Sequence, residues 1–177
     1  MPLKQVSAGD QLPEQVNVII EIPSHSDPVK YEVGKDSGAL FVDRFMQTSM
    51  HYPCNYGYVP QTLSEDGDPV DVLVVTPFPL ISGSVIACRL VGMLEMEDEK
   101  GQDNKLLAVP VNELTPLYTH VFEPADLPAT LLNSIAHFFE HYKDLDSDKW
   151  VKIAGWSDTA SALVEIESSL ARFDESS

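Results

Sequence analysis

Basic residues are scarce in this chain of 177 residues, which has 11 lysines and arginines against 28 aspartates and glutamates. The formal net charge at pH 7, with neutral histidines, is therefore −17. Proteins bind nucleic acids and anionic membrane surfaces through clustered basic residues, so this balance argues against nonspecific binding to either. The total charge permits a metal enzyme but names no function, because an acidic surface is often only a solubility feature.

Long hydrophobic runs and cysteines are also rare. The main apolar segments are interrupted by Asp71 and Arg89, and they fall short of the roughly 20 residues that a membrane helix needs. The first ten residues lack the apolar core and cleavage pattern of a secretory signal, so we expect a cytoplasmic protein. In a reducing compartment, the two cysteines, Cys54 and Cys88, are expected to be free thiols.

The hydrophobic content, 44% of the residues, is enough for one compact core, and we expect residues 1–177 to form a single domain. Runs rich in Val, Ile and Leu alternate with Pro, Gly, Asp or Ser over the first two thirds of the chain, which predicts short strands. The predicted strands are residues 15–22, 29–33, 39–45, 70–76, 84–96 and 105–111. Their spacing suggests a barrel or a sandwich.

Two helices are predicted after these strands. The first covers residues 128–143, with Asp126 and Pro128 as start signals and an apolar stripe at helical spacing. The second covers residues 158–173, with Ser157 as its N-cap, and is expected to pack on the strands. The segment between the helices predicts one further strand.

Alternation within two strands places charged side chains on defined faces. In VKYEV, Lys30 and Glu32 share one face, where they could form an exposed ion pair of little energetic value. In VIIEI, Glu21 shares a face with Ile19, which carries a carboxylate toward an interior or a cleft unless that face is solvated. The alternation leaves both alternatives open.

The central feature is an acidic loop that places Asp66, Asp68 and Asp71 within six positions, just ahead of an apolar strand. Like charges this close repel one another, unless a hard divalent cation such as Mg²⁺ lies among them. Gly67 and Pro69 allow a tight turn. An ordinary hydrophilic turn has the same composition, so the loop alone leaves both interpretations open.

Two other kinds of metal site match parts of the sequence. An EF-hand loop counted from Asp66 fails at positions five, six and twelve, which hold Val70, Asp71 and Pro77. The segment from His137 to His141 matches the H-x-x-E-H pattern of zinc peptidases, but no third-ligand motif follows it.

The acidic loop reads DGDPVDV, which resembles the signature of the soluble family I inorganic pyrophosphatases at all seven positions. Six further segments resemble that family in order and spacing: IEIP, VKYEV, GALFVDRF, YPCNYGY, DEKGQDNKL and HFFEHYK. The resemblance implies an α+β, mainly β fold, a five-stranded OB-type barrel with two flanking helices. It also implies hydrolysis of pyrophosphate, bound as its magnesium complex, and assembly into a homohexamer built as a dimer of trimers.

The same resemblance implies roles for individual residues. Asp66, Asp71 and Asp103 would hold activating Mg²⁺ ions, with Asp98 supporting a further metal. Asp68 would be the general base that takes a proton from the attacking water. The phosphate contacts would come from Lys30, Arg44, Tyr56, Lys105, Tyr142 and Lys143. The supporting residues would be Glu21, Glu32 and Tyr52.

Two rival functions use parts of the same pattern. A nucleic-acid-binding OB module would share the barrel and the aromatic residues but would need a basic groove. A non-catalytic metal-binding protein would use the acidic loop but would have no need for four phosphate-binding cations.

Overall fold

The computed structural model describes residues 3–177. Within that range lie nine strands and two α-helices: β1 (Gln15–Ile22), β2 (Val29–Val33), β3 (Leu40–Phe45), β4 (Asn55–Tyr58), β5 (Asp71–Val74), β6 (Val85–Asp98), β7 (Gly101–Gln102), β8 (Lys105–Pro110), α1 (Ala129–His141), β9 (Val151–Ser157) and α2 (Thr159–Ser176). Short 3-10 turns cover Leu3–Gln5, Pro116–Tyr118 and Pro124–Asp126.

Five of the strands form a closed ring. They pair in the order β1, β4, β5, β8 and β6, and β6 returns to pair with β1. The β5–β8 pair is parallel, with Val72 opposite Leu106, and the other pairs of the ring are antiparallel. The ring confirms the predicted OB-type barrel with two helices.

The strand β4 is not among the strands predicted from the sequence. It pairs with β1 so closely that a Cβ at Gly57 would overlap the carbonyl oxygen of Ile19. Glycine is therefore required at this point of the barrel, although glycine is usually a sign of a turn. The boundaries of the predicted strands agree with the structure to within two residues.

The hairpin β2–β3 is a separate two-stranded sheet. Lys30 lies opposite Arg44 in its register, and β2 packs against β1 of the barrel. The strands 29–33 and 39–45 were thus predicted correctly as strands, but they lie outside the ring.

Alternate residues of the barrel strands pack into two different core clusters. In β5, Leu73 packs in the cluster that includes Phe138 and Phe139 of α1, whereas Val72 packs in the cluster that includes Ile166 of α2. Each helix therefore covers a different set of barrel side chains.

The helix ends differ from the predicted ones. The helix α1 ends at His141, so Tyr142 is its C-cap and Lys143 lies in the following turn. Ser157, predicted as the N-cap of α2, ends β9 instead, and the carboxylate of Asp158 caps the helix by accepting from the amide of Ser161. Within residues 3–177, no helix is long and apolar enough to cross a bilayer.

Candidate active site

A cleft with a volume of about 780 Å³ lies between the barrel, the β2–β3 hairpin and the end of α1. It is lined by all fourteen residues singled out in the sequence: Glu21, Lys30, Glu32, Arg44, Tyr52, Tyr56, Asp66, Asp68, Asp71, Asp98, Asp103, Lys105, Tyr142 and Lys143. The structure thus brings together residues that are more than 120 positions apart in the chain.

Lys105 forms a three-way contact at the base of the cleft. Its Nζ atom lies 2.6 Å from Oδ2 of Asp71 and 2.8 Å from Oδ1 of Asp103, and it donates at 3.4 Å to the hydroxyl of Tyr56. The parallel pairing of β5 with β8 produces this contact, because Asp71 and Lys105 are the first residues of the two strands.

Burial and neighbouring charges of opposite sign shift the pKa values of Lys105 and Asp103 in opposite directions. Burial disfavours the charged form of Lys105, but Asp71 and the other neighbours outweigh it and hold the pKa of Lys105 well above its usual value. Burial raises the pKa of Asp103, although Lys105 opposes the increase. The ammonium group therefore stays charged and offsets part of the negative charge of the two carboxylates.

A second buried ion pair joins Lys143 to the end of β6. Its Nζ atom donates to Oδ2 of Asp98 at 2.8 Å and lies 3.8 Å from Oε1 of Glu99. Burial opposes ionisation of Asp98, but the hydrogen bonds from Lys143 and from the Lys100 amide outweigh it, and the pKa of Asp98 is lowered. Glu99, which also lines the cleft, was not among the predicted site residues.

The hairpin contributes two half-buried cations. Nζ of Lys30 lies 3.3 Å from Oδ2 of Asp43, and Nη1 of Arg44 lies 3.9 Å from Oδ2 of Asp146. The pairing of Lys30 with Glu32 that strand alternation allowed does not form, because Asp43 on β3 takes that place. Neither Asp43 nor Asp146 was predicted: Asp43 lies in the segment GALFVDRF, from which only Arg44 was assigned a role, and Asp146 lies outside the quoted motifs.

Glu21 lies buried on β1 where the barrel meets the hairpin. Its Oε1 atom accepts a 2.9 Å hydrogen bond from the amide of Val33, which ends β2. Burial is the main cause that raises the pKa of Glu21 from 4.5 to about 8. The sequence left open whether this carboxylate is solvated, and the structure places it at the wall of the cleft.

The acidic loop is held in shape by its own hydrogen bonds. The amide of Asp68 donates to Oδ1 of Asp66 at 2.9 Å, the amide of Ser64 donates to the carbonyl of Asp68 at 2.7 Å, and Gly67 takes a φ of 86°. The Asp68 carboxylate is exposed, and its Oδ1 atom lies 2.5 Å from Nζ of Lys35. Lys35 also lines the cleft and was not predicted.

Two tyrosines join the cleft to the core. Tyr52 is buried, with its ring centroid 4.5 Å from that of Phe138, and burial raises the pKa of its hydroxyl. The ring of Tyr142 stacks on Phe138 at 5.3 Å and meets Phe139 edge-on at 5.4 Å. Tyr142 therefore packs on the apolar side of α1 and also borders the cleft.

The donor set in the cleft fits a hard cation. Its carboxylates offer oxygen atoms, the ligands that Mg²⁺ prefers, and lysines supply the positive charge between them. As the side chains stand within residues 3–177, no group of three His, Cys, Asp or Glu is close enough to hold a metal ion. Binding of Mg²⁺ by three of these carboxylates at once would therefore require them to move closer together.

The His137 pattern lies on another part of α1. The rings of His137 and His141 are 4.6 Å apart, and Nδ1 of His141 lies 2.8 Å from Oδ2 of Asp144. Neither histidine lines the cleft. The two cysteines are also remote from any metal site, because Cys54 and Cys88 are buried in different core clusters as free thiols.

Comparison with known proteins decides the family. The model of the inorganic pyrophosphatase family matches residues 18–174. An inorganic pyrophosphatase from Yersinia pestis is 61% identical over 172 residues, which are 97% of this chain and 98% of that protein. This chain belongs to the inorganic pyrophosphatase family. The inorganic pyrophosphatase of Escherichia coli K12 is 59% identical over the same shares of the two chains.

Solved structures of pyrophosphatases have the same fold. The inorganic pyrophosphatase of Thermus thermophilus superposes with a TM-score of 0.92 at 42% identity, covering 98% of this chain and 99% of that chain. The protein from Anaplasma phagocytophilum, described as an inorganic phosphatase, gives a TM-score of 0.94 at 49% identity over 96% and 99% of the two chains. Membership in the pyrophosphatase family excludes the zinc peptidase alternative.

Proposed function

We propose that this protein hydrolyses inorganic pyrophosphate, bound as a magnesium complex, to two orthophosphates. The observation that carries the proposal is the contact of Lys105 with Asp71 and Asp103 at the base of the cleft. This contact brings oxygen ligands for metal ions next to a cation that can bind phosphate. Neither a nucleic-acid-binding OB module nor a non-catalytic metal-binding protein requires that combination.

The residues that would hold Mg²⁺ are Asp66, Asp71, Asp103 and Asp98. Mg²⁺ held there would activate water and neutralise negative charge on the attacking water oxygen and on the departing oxygen of the substrate. The carboxylates have a second effect on the substrate. Without bound cations they would repel free pyrophosphate, so substrate binding is coupled to metal binding.

Asp68 acts as the general base in this proposal. The water oxygen forms a bond to one phosphorus, the bond from that phosphorus to the bridging oxygen breaks, and the water proton passes to Asp68. The bridging oxygen leaves with the second phosphate and keeps the electron pair. Oδ2 of Asp68 suits proton transfer, because Oδ1 is the atom that contacts Lys35.

The phosphate oxygens are bound by the cations and phenols that surround the metal ligands. Arg44 offers a planar guanidinium and the three lysines offer movable point charges, so together they can contact both phosphates. These residues are Lys30, Arg44, Lys105 and Lys143, joined by the hydroxyls of Tyr56 and Tyr142.

Three further residues support this arrangement. Glu21 ties the hairpin to the barrel through the Val33 amide, and Tyr52 packs beneath the cleft against Phe138. Glu32 borders the cleft from the exposed hairpin.

We further propose a cytoplasmic homohexamer, built as a dimer of trimers, in which residues 1–177 of each copy form a single domain. Exposed apolar side chains support an assembly, among them Phe45 and Phe78, each 76% exposed, and Ile81, 81% exposed. Sedimentation velocity of the full chain tests the hexamer, and a monomer at micromolar concentration would contradict it.

The central experiment measures phosphate release from pyrophosphate and from ATP, each with Mg²⁺ and with chelator. We expect Mg²⁺-dependent hydrolysis of pyrophosphate only. Replacing Asp68 by Asn should lower kcat by about 10²–10⁴-fold, the usual contribution of a general base. The control variant Asp10→Asn alters an exposed carboxylate that does not line the cleft and should keep wild-type kcat.

A further inference from the structure

The contact between Lys35 and Asp68 joins the hairpin directly to the acidic loop. Nζ of Lys35 lies 2.5 Å from Oδ1 of Asp68, although both side chains are more than 60% exposed. Exposed ion pairs are usually of little energetic value, so this contact is of interest for what it positions rather than for stability.

The backbone around Asp68 is already fixed, but its carboxylate is not. The loop hydrogen bonds to Asp66 and Ser64 involve only main-chain atoms of Asp68. Within residues 3–177, Lys35 is the only hydrogen-bond donor to the Asp68 carboxylate. The side-chain torsions of Asp68 therefore depend on the lysine.

The turn that carries Lys35 is well anchored. Gly34 accepts from the amide of Gly38 at 2.8 Å and donates to the carbonyl of Ala39 at 2.8 Å. Nζ of Lys4 donates to the carbonyl of Asp36 at 3.2 Å. A Cβ at Gly34 would lie 2.6 Å from the ring of Phe41, which would have to move to admit a side chain there. The ammonium group is thus presented from a fixed backbone.

We propose that Lys35 is a positioning residue for the reaction, which orients the Asp68 carboxylate so that Oδ2 faces the attacking water. This inference rests on the proposed function and on Asp68 as the base. Lys35 binds Oδ1 and leaves Oδ2 free to take the proton. Its loss should therefore affect kcat more than KM.

The test compares Lys35→Met with Lys35→Arg in the full-length protein with Mg²⁺ and pyrophosphate. We expect Lys35→Met to lower kcat by about tenfold, because a misoriented base loses part of its contribution to the reaction, with KM changed by less than about threefold. Lys35→Arg should restore at least about a third of wild-type kcat, because the charge and reach are kept. The control is Lys152→Met, which removes an exposed lysine 4.0 Å from Glu97, outside the cleft.

A double-mutant cycle separates positioning from substrate binding. If Lys35 acts through Asp68, adding Lys35→Met to Asp68→Asn should change kcat by less than about twofold. Equal losses in both backgrounds, or a higher KM with unchanged kcat, would make Lys35 a substrate-binding cation and overturn the proposal.

A structural measurement completes the test independently of activity. Crystals of the Lys35→Met variant should show the Asp68 carboxylate in more than one rotamer on an unchanged loop backbone, whereas one unchanged rotamer would contradict the proposal. An inactive wild-type protein would instead refute the proposed function, so the two failures are distinguishable.

Discussion

The ammonium group of Lys105 lies 2.6 Å from the carboxylate of Asp71, and the lysine side chain is only 3% exposed. The two residues are 34 positions apart in the chain and meet because β5 and β8 run parallel from them. In the absence of metal, this contact is what allows Asp71 and Asp103 to remain close together.

Replacing Lys105 by Met should destabilise the metal-free protein by about 1–3 kcal/mol, because it leaves two partly buried carboxylates without a compensating charge. Urea unfolding in chelator measures this loss. Added Mg²⁺ should stabilise the variant more than the wild type, since the ion replaces the missing positive charge. The control Lys152→Met should change the free energy of unfolding by less than about 0.5 kcal/mol. Equal stability of Lys105→Met and wild type in chelator would contradict the role given to this lysine.

Magnesium should raise both stability and substrate affinity. A ligand that binds only the folded state at about 100 times its Kd stabilises it by about 2.7 kcal/mol, which thermal unfolding with and without Mg²⁺ can detect. Calorimetry should show weak pyrophosphate binding in chelator and tight binding with Mg²⁺. Equal pyrophosphate affinity under both conditions would refute the coupling of substrate to metal.

Glu21 should make the stability of the metal-free protein depend on pH. Its pKa is raised from 4.5 to about 8 on folding, so between these values the unfolded chain binds fewer protons than the native state. The free energy of unfolding therefore falls as the pH rises through this window, by up to about 5 kcal/mol. A glutamine at this position has no such penalty and can still accept from the Val33 amide.

We therefore expect Glu21→Gln to match the wild type near pH 5 and to be more stable by up to a few kcal/mol near pH 9 in chelator. Chemical denaturation at the two pH values provides the measurement. Glu32→Gln is the matched control, because Glu32 lines the same cleft from an exposed position. A stability difference between Glu21→Gln and wild type that does not change with pH would exclude this account.

The hydroxyl and the ring of Tyr142 should contribute separately, the hydroxyl to pyrophosphate binding and the ring to stability. Tyr142→Phe keeps the stacking on Phe138 and Phe139, so stability should change by less than about 1 kcal/mol while KM for pyrophosphate rises. Tyr142→Ala also removes the ring and should cost about 2 kcal/mol or more in stability. Thermal unfolding and steady-state kinetics of the two variants distinguish the contributions. Equal KM values for Tyr142→Phe and wild type would exclude the phosphate contact.

Much of the fold was predictable because hydrophobic periodicity determines which strand faces are buried. The strands β1 and β2 were predicted with the boundaries that the structure shows, and the barrel followed from the resemblance. The strand β4 was not predictable from composition, because Asn55 and Gly57 are typical of turns. Here the close approach of β1 requires glycine, a tertiary constraint that no local pattern contains.

The site residues were found by their motifs, and the structure brings all of them to one cleft. Their roles remain predictions. Lys35 and Asp146 were missed, because a single charged residue at an exposed turn gives no sequence signal. Their partners become evident only when the hairpin is placed against the acidic loop and the turn after α1. Asp43 was missed although it lies in a quoted motif, because its contact with Lys30 depends on the pairing of β2 with β3.

The parallel alignment of β5 and β8 also bears on how the protein gains activity during refolding. The hairpin arm β6–β7 separates these strands in the chain, so the carboxylate of Asp71 and the ammonium of Lys105 meet only when distant segments have paired. Such nonlocal pairing forms late relative to helices and local turns. After dilution from denaturant, pyrophosphate hydrolysis would thus return later than the helical circular dichroism signal. The time at which activity returns would report when the barrel closes.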